Sequence, residues 1–327
     1  MRHKLTPVAT SLAAALAAAL PAMPVMSQAY PSRPVTIVVP FPPGGSSDQI
    51  MRLMARKVQD SVGQTMVVDN RAGAGGVVGA VAVKSAVPDG YTLYMGHTGT
   101  HVVNVSLYQK LEYDPIKDFK PITTLFSFPS LLVVHAGLPV RSLQELIAMG
   151  KSKKGGLSYT TQGIGTTSHL MGELFARETG ATLVHVPMKG AAPAVAEVVA
   201  GRAEMMFSSY ISAGPFIRDG RLRTIGIAAL SRSRALPDVP TLAELGVKGV
   251  EIDQWFALYA PAGTPDPVIR KLNEEFVKAT KAPDVIKTLV DQAAEPMGST
   301  PEELAKMMAS EIPRVARVVR ESGAKAE

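Results

Sequence analysis

Three short stretches of this 327-residue chain place glycines where a strand-like run gives way to a helix-like one. Gly44 and Gly45 follow the apolar run VTIVV and precede Ser46, Ser47 and Asp48. Asn70-Arg71-Ala72-Gly73-Ala74-Gly75-Gly76 follows TMVVD, and Gln162-Gly163-Ile164-Gly165-Thr166-Thr167-Ser168 follows LSYTT. Glycine lets a backbone approach a ligand closely and adopt left-handed angles. The helix that follows offers unpaired N–H groups and the positive end of its dipole, which together favour an anion. In open α/β sheets such turns lie at the carboxyl ends of the strands, where ligands bind. One helix end contributes ~0.3–1 kcal/mol toward an anion, and a hydrogen bond to a charged group roughly 1.5–3 kcal/mol. Micromolar binding needs about 8 kcal/mol net, so one turn is insufficient and two or three converging on one carboxylate reach that range. For any single turn, a plain strand-to-helix connection is the alternative.

Other chemistries find little support. The dinucleotide pattern G-x-G-x-x-G is met at Gly73 and Gly75, but Val78 fills its third place and the only acid about 20 residues beyond is Asp89, in a Pro-Asp-Gly turn. Gly150-Lys151-Ser152 echoes the end of a phosphate loop, with Glu145 where the first glycine belongs. Neither G-x-S-x-G nor H-E-x-x-H occurs. His97 and His101 are four apart and could share a helix face as metal ligands, or serve as polar contacts in a loop. His169 and His185 read as helix and strand residues satisfied by neighbours. A Ser-His-Asp set assembled in space stays open. The chain has no cysteine, which excludes disulfides and cysteine chemistry.

The elements that must position the turns alternate along the chain. Strand candidates fall at 35–40, 65–69, 91–95, 131–135, 157–161, 183–186, 204–208, 224–230 and 256–260, with helical patterns between most of them. This rhythm, with Val, Ile and Leu on both strand faces, predicts α/β architecture with mainly parallel sheets covered by helices on both sides. Ser142/Glu145 and Thr241/Glu244 have capping-box spacing, and Thr264-Pro265 and Thr300-Pro301 mark further helix starts. A final helix is expected from Pro301 to about Glu321. The stretch with Asp114-Pro115 and Lys120-Pro121 reads as loop. The first 29 residues have the three-part layout of a cleaved secretory signal: basic Arg2 and Lys4, an apolar core, then small residues. Removing them leaves 327 − 29 = 298 residues, enough for two domains, and lowers the formal charge from +6 to +6 − 2 = +4. That mild, dispersed charge gives no reason to expect nucleic acid as a partner.

Six motifs in order, YPSRPVTIVVPFPPGGSSD, VVDNRAGAGGVVGA, VPDGYTL, HVPMKGAAPAV, LPDVPTLAELG and APAGTP, resemble the Bug family, the periplasmic solute receptors of tripartite tricarboxylate transporters. The resemblance runs from about Tyr30 to the C-terminus. It implies a type II periplasmic-binding fold: two α/β lobes, 30–131 with 257–327 and 132–256, around a cleft that takes a small carboxylate. Carried over position by position, lobe-one contacts fall at Pro43, Gly44, Asp48, Ala74, Gly75, Gly76 and Thr98. Lobe-two contacts fall at Gly163, Gly165, Thr166, Thr167, Ala192, Ser208 and Ser209. Asp48 could equally be a first-turn partner of the backbone, and Lys189 an interlobe contact. Met188 departs from the tyrosine usual before Lys-Gly, and so brings a flexible apolar surface where a hydroxyl would stand. The resemblance implies hinge closure, no bond-making chemistry, no cofactor, no metal and a monomer. The expected partner is a membrane permease or, alternatively, a sensor kinase. An exported enzyme on the same fold is the remaining rival.

Overall fold

The computed structural model describes residues 30–229, 231–233 and 235–322, so the expected signal segment lies outside the described residues. The chain opens with three strand–helix units: β1 (Val35–Val39), α1 (Ser46–Val62), β2 (Met66–Asn70), a 3-10 turn at Ala74–Gly76 leading into α2 (Val77–Lys84), and β3 (Thr92–His97). A π-helical turn at Gly99–Val103 runs into α3 (Asn104–Leu107), and β4 (Phe119–Phe128) follows. The chain then builds a second sheet from β5 (Ser130–His135), α4 (Leu143–Ser152), β6 (Leu157–Thr161), α5 (Thr167–Thr179), β7 (Leu183–Pro187), α6 (Ala191–Val199), β8 (Met205–Ser209), α7 (Tyr210–Arg218) and β9 (Leu222–Ala228). It returns through β10 (Gln254–Pro261), α8 (Asp266–Thr280), α9 (Pro283–Asp291), β11 (Glu295–Pro296) and α10 (Pro301–Ser322).

The first sheet has the order β11-β4-β10-β3-β1-β2 and the second β7-β6-β8-β5-β9. The α/β expectation holds, but the sheets are mixed rather than mainly parallel. Among the described residues four strand pairs are parallel and five antiparallel. The antiparallel pairs gather around β4, β5 and β10, the strands flanking the passages between sheets. The passage out falls at Pro129, and the return comes before Gln254. Leu131 therefore belongs to the second sheet, and Trp255 and Phe256 to the first.

The strand β4 replaces the loop expected there. Its Pro121 lies opposite Tyr259, where the β4–β10 register shifts. A proline is tolerated in a sheet at such an irregularity, which masked the strand in the sequence. A second correction concerns Thr241. Its hydroxyl accepts from the Glu244 N–H (3.1 Å) and its N–H donates to the Glu244 carboxylate (2.7 Å), so the reciprocal pair forms. It opens only one turn, because Gly246 at φ 93 ends the segment. At Thr300 and Glu303 the same pair opens the long helix α10 as expected.

Helices α1, α8 and α9 cover one face of the first sheet, packing Met51, Met54, Phe276 and Leu289 around Ile37 and Leu258. On the other face Val83 and Leu304 pack with Val38, Tyr94 and Tyr259, and this core runs on into the second lobe through Phe175 and Phe207. The second sheet buries Leu131, Val133 and Ile227 against Val195 and Val198 of α6. Under α5, Gly172 lets the helix settle on the buried Tyr159 ring: a Cβ at this position would stand 2.1 Å from Tyr159 Cε2. Gly172→Ala gains about 1 kcal/mol of helix propensity but overpacks a rigid ring at roughly 1–3 kcal/mol. We expect a net loss of stability, read as a lower midpoint in thermal unfolding. A midpoint equal to or above that of the parent chain would show that the Tyr159 ring gives way freely.

Candidate functional site

All the glycine turns lie at strand carboxyl ends that face one another between the lobes. In the first turn Gly44 takes φ 83, and Gly45 is the N-cap of α1 at φ −73 and ψ 168. Asp48 stands behind this turn and is only 3 % exposed. Its carboxylate accepts from the Gly44 N–H (2.9 Å), Arg52 Nε (3.0 Å) and Asn70 Nδ2 (2.9 Å). Burial works to raise the Asp48 pKa, but the hydrogen bonds from Arg52, Gly44 and Asn70 outweigh it and hold the carboxyl below its ordinary value. Asn70 also donates to the Phe41 carbonyl at 3.0 Å, so one polar knot fixes the turn to the next strand.

The second turn needs its glycines. Gly75 and Gly76 sit at φ 61 and 97, and a Cβ on Gly76 would meet Thr100 Cγ2 at 2.4 Å. The buried Tyr94 hydroxyl donates to the Gly76 carbonyl at 3.0 Å, and the Tyr108 hydroxyl to the Ala74 carbonyl at 3.1 Å. The Val77 N–H, in the same peptide plane as the Gly76 carbonyl, donates back to the Ala74 carbonyl and closes the turn. Thr98 does not offer a free hydroxyl. It donates to the Asp253 carbonyl (2.9 Å) and accepts from the Trp255 N–H (3.0 Å), splicing the returning chain to the end of β3.

In lobe two the third turn holds Gly163 at φ 133 and Gly165 at φ 82, with Thr166 as the N-cap of α5. The Thr166 hydroxyl donates to the Gly163 carbonyl at 2.8 Å, and the Gly165 N–H to His169 Nδ1 at 3.4 Å. His169 stacks on His185 at 4.1 Å, and His185 Nε2 lies 2.7 Å from Thr161 Oγ1. Burial lowers both histidine pKa values, that of His185 to about 4, so the stacked pair behind the turn is neutral at neutral pH. Gly190 at φ 112 opens α6, and Ser209 stands at the N-cap position of α7 without closing it.

Between these turns lies a cleft with two connected chambers of about 1010 and 740 Å³. Of the residues singled out in the sequence, Ala74, Gly75, Gly76, Thr98, Gly163, Thr166 and Thr167 line the larger chamber. Pro43, Gly44, Ala192 and Ser209 line the smaller. Asp48, Gly165 and Ser208 line neither: Asp48 and Gly165 support their turns, and Ser208 is fully buried. The helices α1, α2, α5, α6 and α7 all begin on this cleft, and none of their N-caps is closed by a side-chain hydrogen bond. Away from it, α4 is closed by Ser142, whose hydroxyl accepts from the Glu145 N–H at 3.2 Å, while α8 and α9 also lack a side-chain cap and carry a proline in the first turn. The exposed Lys189 is the one charged side chain lining the larger chamber among the described residues.

Sequence reasoning missed Phe41, Phe128, Gln162, Gln254 and Phe256 as lining residues. Phe41 and Gln162 adjoin glycine turns and could have been found by that adjacency. Phe128, Gln254 and Phe256 depend on the pairing of β4 with β10, which the sequence did not reveal. Gln254 accepts from the Thr167 hydroxyl at 2.8 Å and donates to the Ser130 hydroxyl, so it links the returning strand to both α5 and β5. His97 and His101 do not point to a metal site. His97 Nδ1 accepts the Gly99 N–H (3.0 Å), and His101 Nδ1 meets Thr100 Oγ1 (2.9 Å) while its ring stacks on Tyr259. Among the described residues no group of three or more His, Cys, Asp or Glu side chains could hold a metal ion.

Residues 50–324 match the family model described as the tripartite tricarboxylate transporter family receptor. The chain belongs to this receptor family. It is 39 % identical to Protein BugT of Bordetella pertussis over 93 % of this chain and 94 % of that protein. Two solved structures share the fold closely. One is a protein of R. palustris with adipate (34 % identity, TM-score 0.86, 90 % of this chain and 99 % of that one). The other is MatC from Rhodopseudomonas palustris with bound malate (36 % identity, TM-score 0.83, 89 % of this chain and 100 % of that one). Members of this family are substrate-binding receptors, not enzymes.

The Asp48 knot has a pH signature. Its folded pKa lies below the ordinary 3.8, so its contribution is present above 3.8 and is lost as pH falls through the lower folded value. Asp48→Ala should destabilise by about 1–3 kcal/mol at pH 7. In urea unfolding the gap between variant and parent should narrow at pH 3. A gap of the same size at both pH values would mean that the charge of Asp48 does not hold the turn.

Proposed function

We propose that this receptor captures a small carboxylate between its lobes in the periplasm, after removal of an N-terminal signal, and presents it to a tripartite tricarboxylate transporter. The observation that carries the reading is the set of helix N-termini, drawn from both lobes, that open uncapped on one cleft. Each leaves first-turn N–H groups in need of an acceptor, and a carboxylate supplies four lone-pair sites. Neutral backbone donors hold an anion without the desolvation cost that several buried lysines would impose. The adipate and malate bound by the two R. palustris structures are consistent with this chemistry. Among the described residues no helix is long and apolar enough to cross a membrane, in keeping with a receptor that hands its ligand to a separate permease.

Closure would turn on Pro129 and on the return passage before Gln254. The ligand favours the closed arrangement only by the contacts it makes to both lobes at once. The Thr167–Gln254–Ser130 link lies at this junction and couples the start of α5 to the passage itself. The closed surface is what the membrane partner would read.

A thermal-shift panel of carboxylic acids tests the reading. A ligand at 100 times its Kd should stabilise the chain by about 2.7 kcal/mol. Thr166→Asp supplies the control. Aspartate is a favoured N-cap, which offsets loss of the Thr166 hydroxyl's bond to the Gly163 carbonyl, and the melting midpoint of the variant without ligand checks that it folds; its carboxylate would occupy the α5 end where the ligand is expected. We expect the ligand-induced shift to vanish in Thr166→Asp. An undiminished shift would remove α5 from the site, and no shift with any acid on the parent chain would refute carboxylate capture.

A further inference from the structure

The floor of the cleft is made of rings. Phe41 follows β1, Phe128 ends β4 and Phe256 lies on β10, and all three line both chambers. Phe256 is the centre of the patch, with its ring 6.0 Å from Phe41 and 5.7 Å from Phe128. Strand register puts it there: Phe256 lies opposite His97 on β3 and opposite Phe126 on β4. Phe126 stacks on it at 4.8 Å and 17°, so the central ring is held in a fixed plane. His97 extends the patch, 5.0 Å from Phe41 and 5.6 Å from Phe256. Because His97 Nδ1 accepts the Gly99 N–H, the ring proton sits on Nε2 and the imidazole is neutral. Burial favours the same form by lowering its pKa to about 3.

The opposite wall adds two apolar side chains beside Gln162 and the rim Lys189. Met188 and Ile164 come from lobe two, and Ile164 is 49 % exposed at the tip of its turn. Methionine adapts its shape and makes favourable sulfur–aromatic contacts. Several side-chain polar groups of the larger chamber already have partners, while His97 Nε2, at the edge of the ring patch, is buried without one. Thr98 holds Asp253 and Trp255, Thr167 and Gln254 hold each other, and Tyr108 holds Ala74. A ligand hydroxyl or a second carboxylate lying over Phe41, Phe256 and Phe128 would lose its water and find no donor on those rings, the His97 Nε2–H lying only at the edge of the patch, a cost of the kind that dominates specificity. A flat apolar body meets no such cost, and ring-on-ring contact at these distances is favourable.

We propose that the cleft is shaped for an aromatic monocarboxylate. Its ring lies over Phe41, Phe256 and Phe128, Met188 closes on the other face, and its carboxylate reaches the amide turns. This inference rests on the carboxylate reading above and narrows its ligand class. Isothermal titration calorimetry of the full mature chain with benzoate, phenylacetate, cyclohexanecarboxylate, adipate, malate and citrate tests it. An aromatic acid should bind tighter than every aliphatic one, and about three- to tenfold tighter than the saturated ring of similar size. Phe128→Leu, at a half-buried position, should weaken the aromatic acid by a similar three- to tenfold and leave cyclohexanecarboxylate within about twofold. Should that variant fail to fold, the comparison of flat and saturated rings on the parent chain decides alone. Tighter binding of an aliphatic di-, tri- or hydroxy-acid, or equal binding of the saturated ring, would overturn the aromatic assignment while leaving carboxylate capture standing. Failure of every acid to bind would overturn both.

Discussion

A helix begins with N–H groups that no earlier turn can accept from, and much of this molecule follows from where it leaves them. Such groups are satisfied by a capping side chain, by water or by a ligand. In α4 and α10 the chain supplies its own cap, through Ser142 and through the Thr300/Glu303 pair, and in α8 and α9 a first-turn proline removes one of the donors. At the five helices that begin on the cleft it does not. The glycines beside these ends serve the same purpose, since a side chain at Gly76 or Gly163 would be strained and would crowd the approach. Asp48 and His169 stand behind the turns and each takes one turn amide there, the Gly44 N–H and the Gly165 N–H, rather than a first-turn amide of the helix that follows.

Two-lobed construction turns that local property into a device. A single helix end holds an anion weakly, and only ends contributed from opposite sides reach useful affinity. The lobes are joined where β4 passes into β5 and where the chain returns at β10. Those strands also carry Phe128, Phe256 and Gln254, so the passage between lobes and much of the cleft floor are one piece of structure. The C-terminal helix reinforces it: Glu311 on α10 accepts from Trp255 Nε1 at 2.8 Å, one residue past Gln254. The passage between lobes and the cleft floor are thus braced together.

Much of this could be read from the sequence because the glycine turns announce themselves. Strand, glycines and helix recur in an order that only a few folds use, and each predicted strand with its own Val or Ile run is present. What stayed hidden did so for stated reasons. The strand β4 carries Pro121 at a register shift, and its loss from the reading removed Phe128 and the partner of Phe256. The mixed sheets were invisible because apolar periodicity is blind to strand direction. Asp48 and Gly165 were correctly placed at the turns, but sequence cannot show which way a buried carboxylate or a single N–H faces. Here Asp48 faces Gly44, Arg52 and Asn70, and the Gly165 N–H faces His169.

The most direct measurement is a crystal structure of the chain with its tightest-binding carboxylate. The account predicts the carboxylate between the lobes, its oxygens within hydrogen-bond distance of backbone N–H groups from at least one glycine turn of each lobe, with Lys189 no closer than the rim. A carboxylate outside the cleft, or one gripped chiefly by basic side chains while the turn amides point elsewhere, would contradict it.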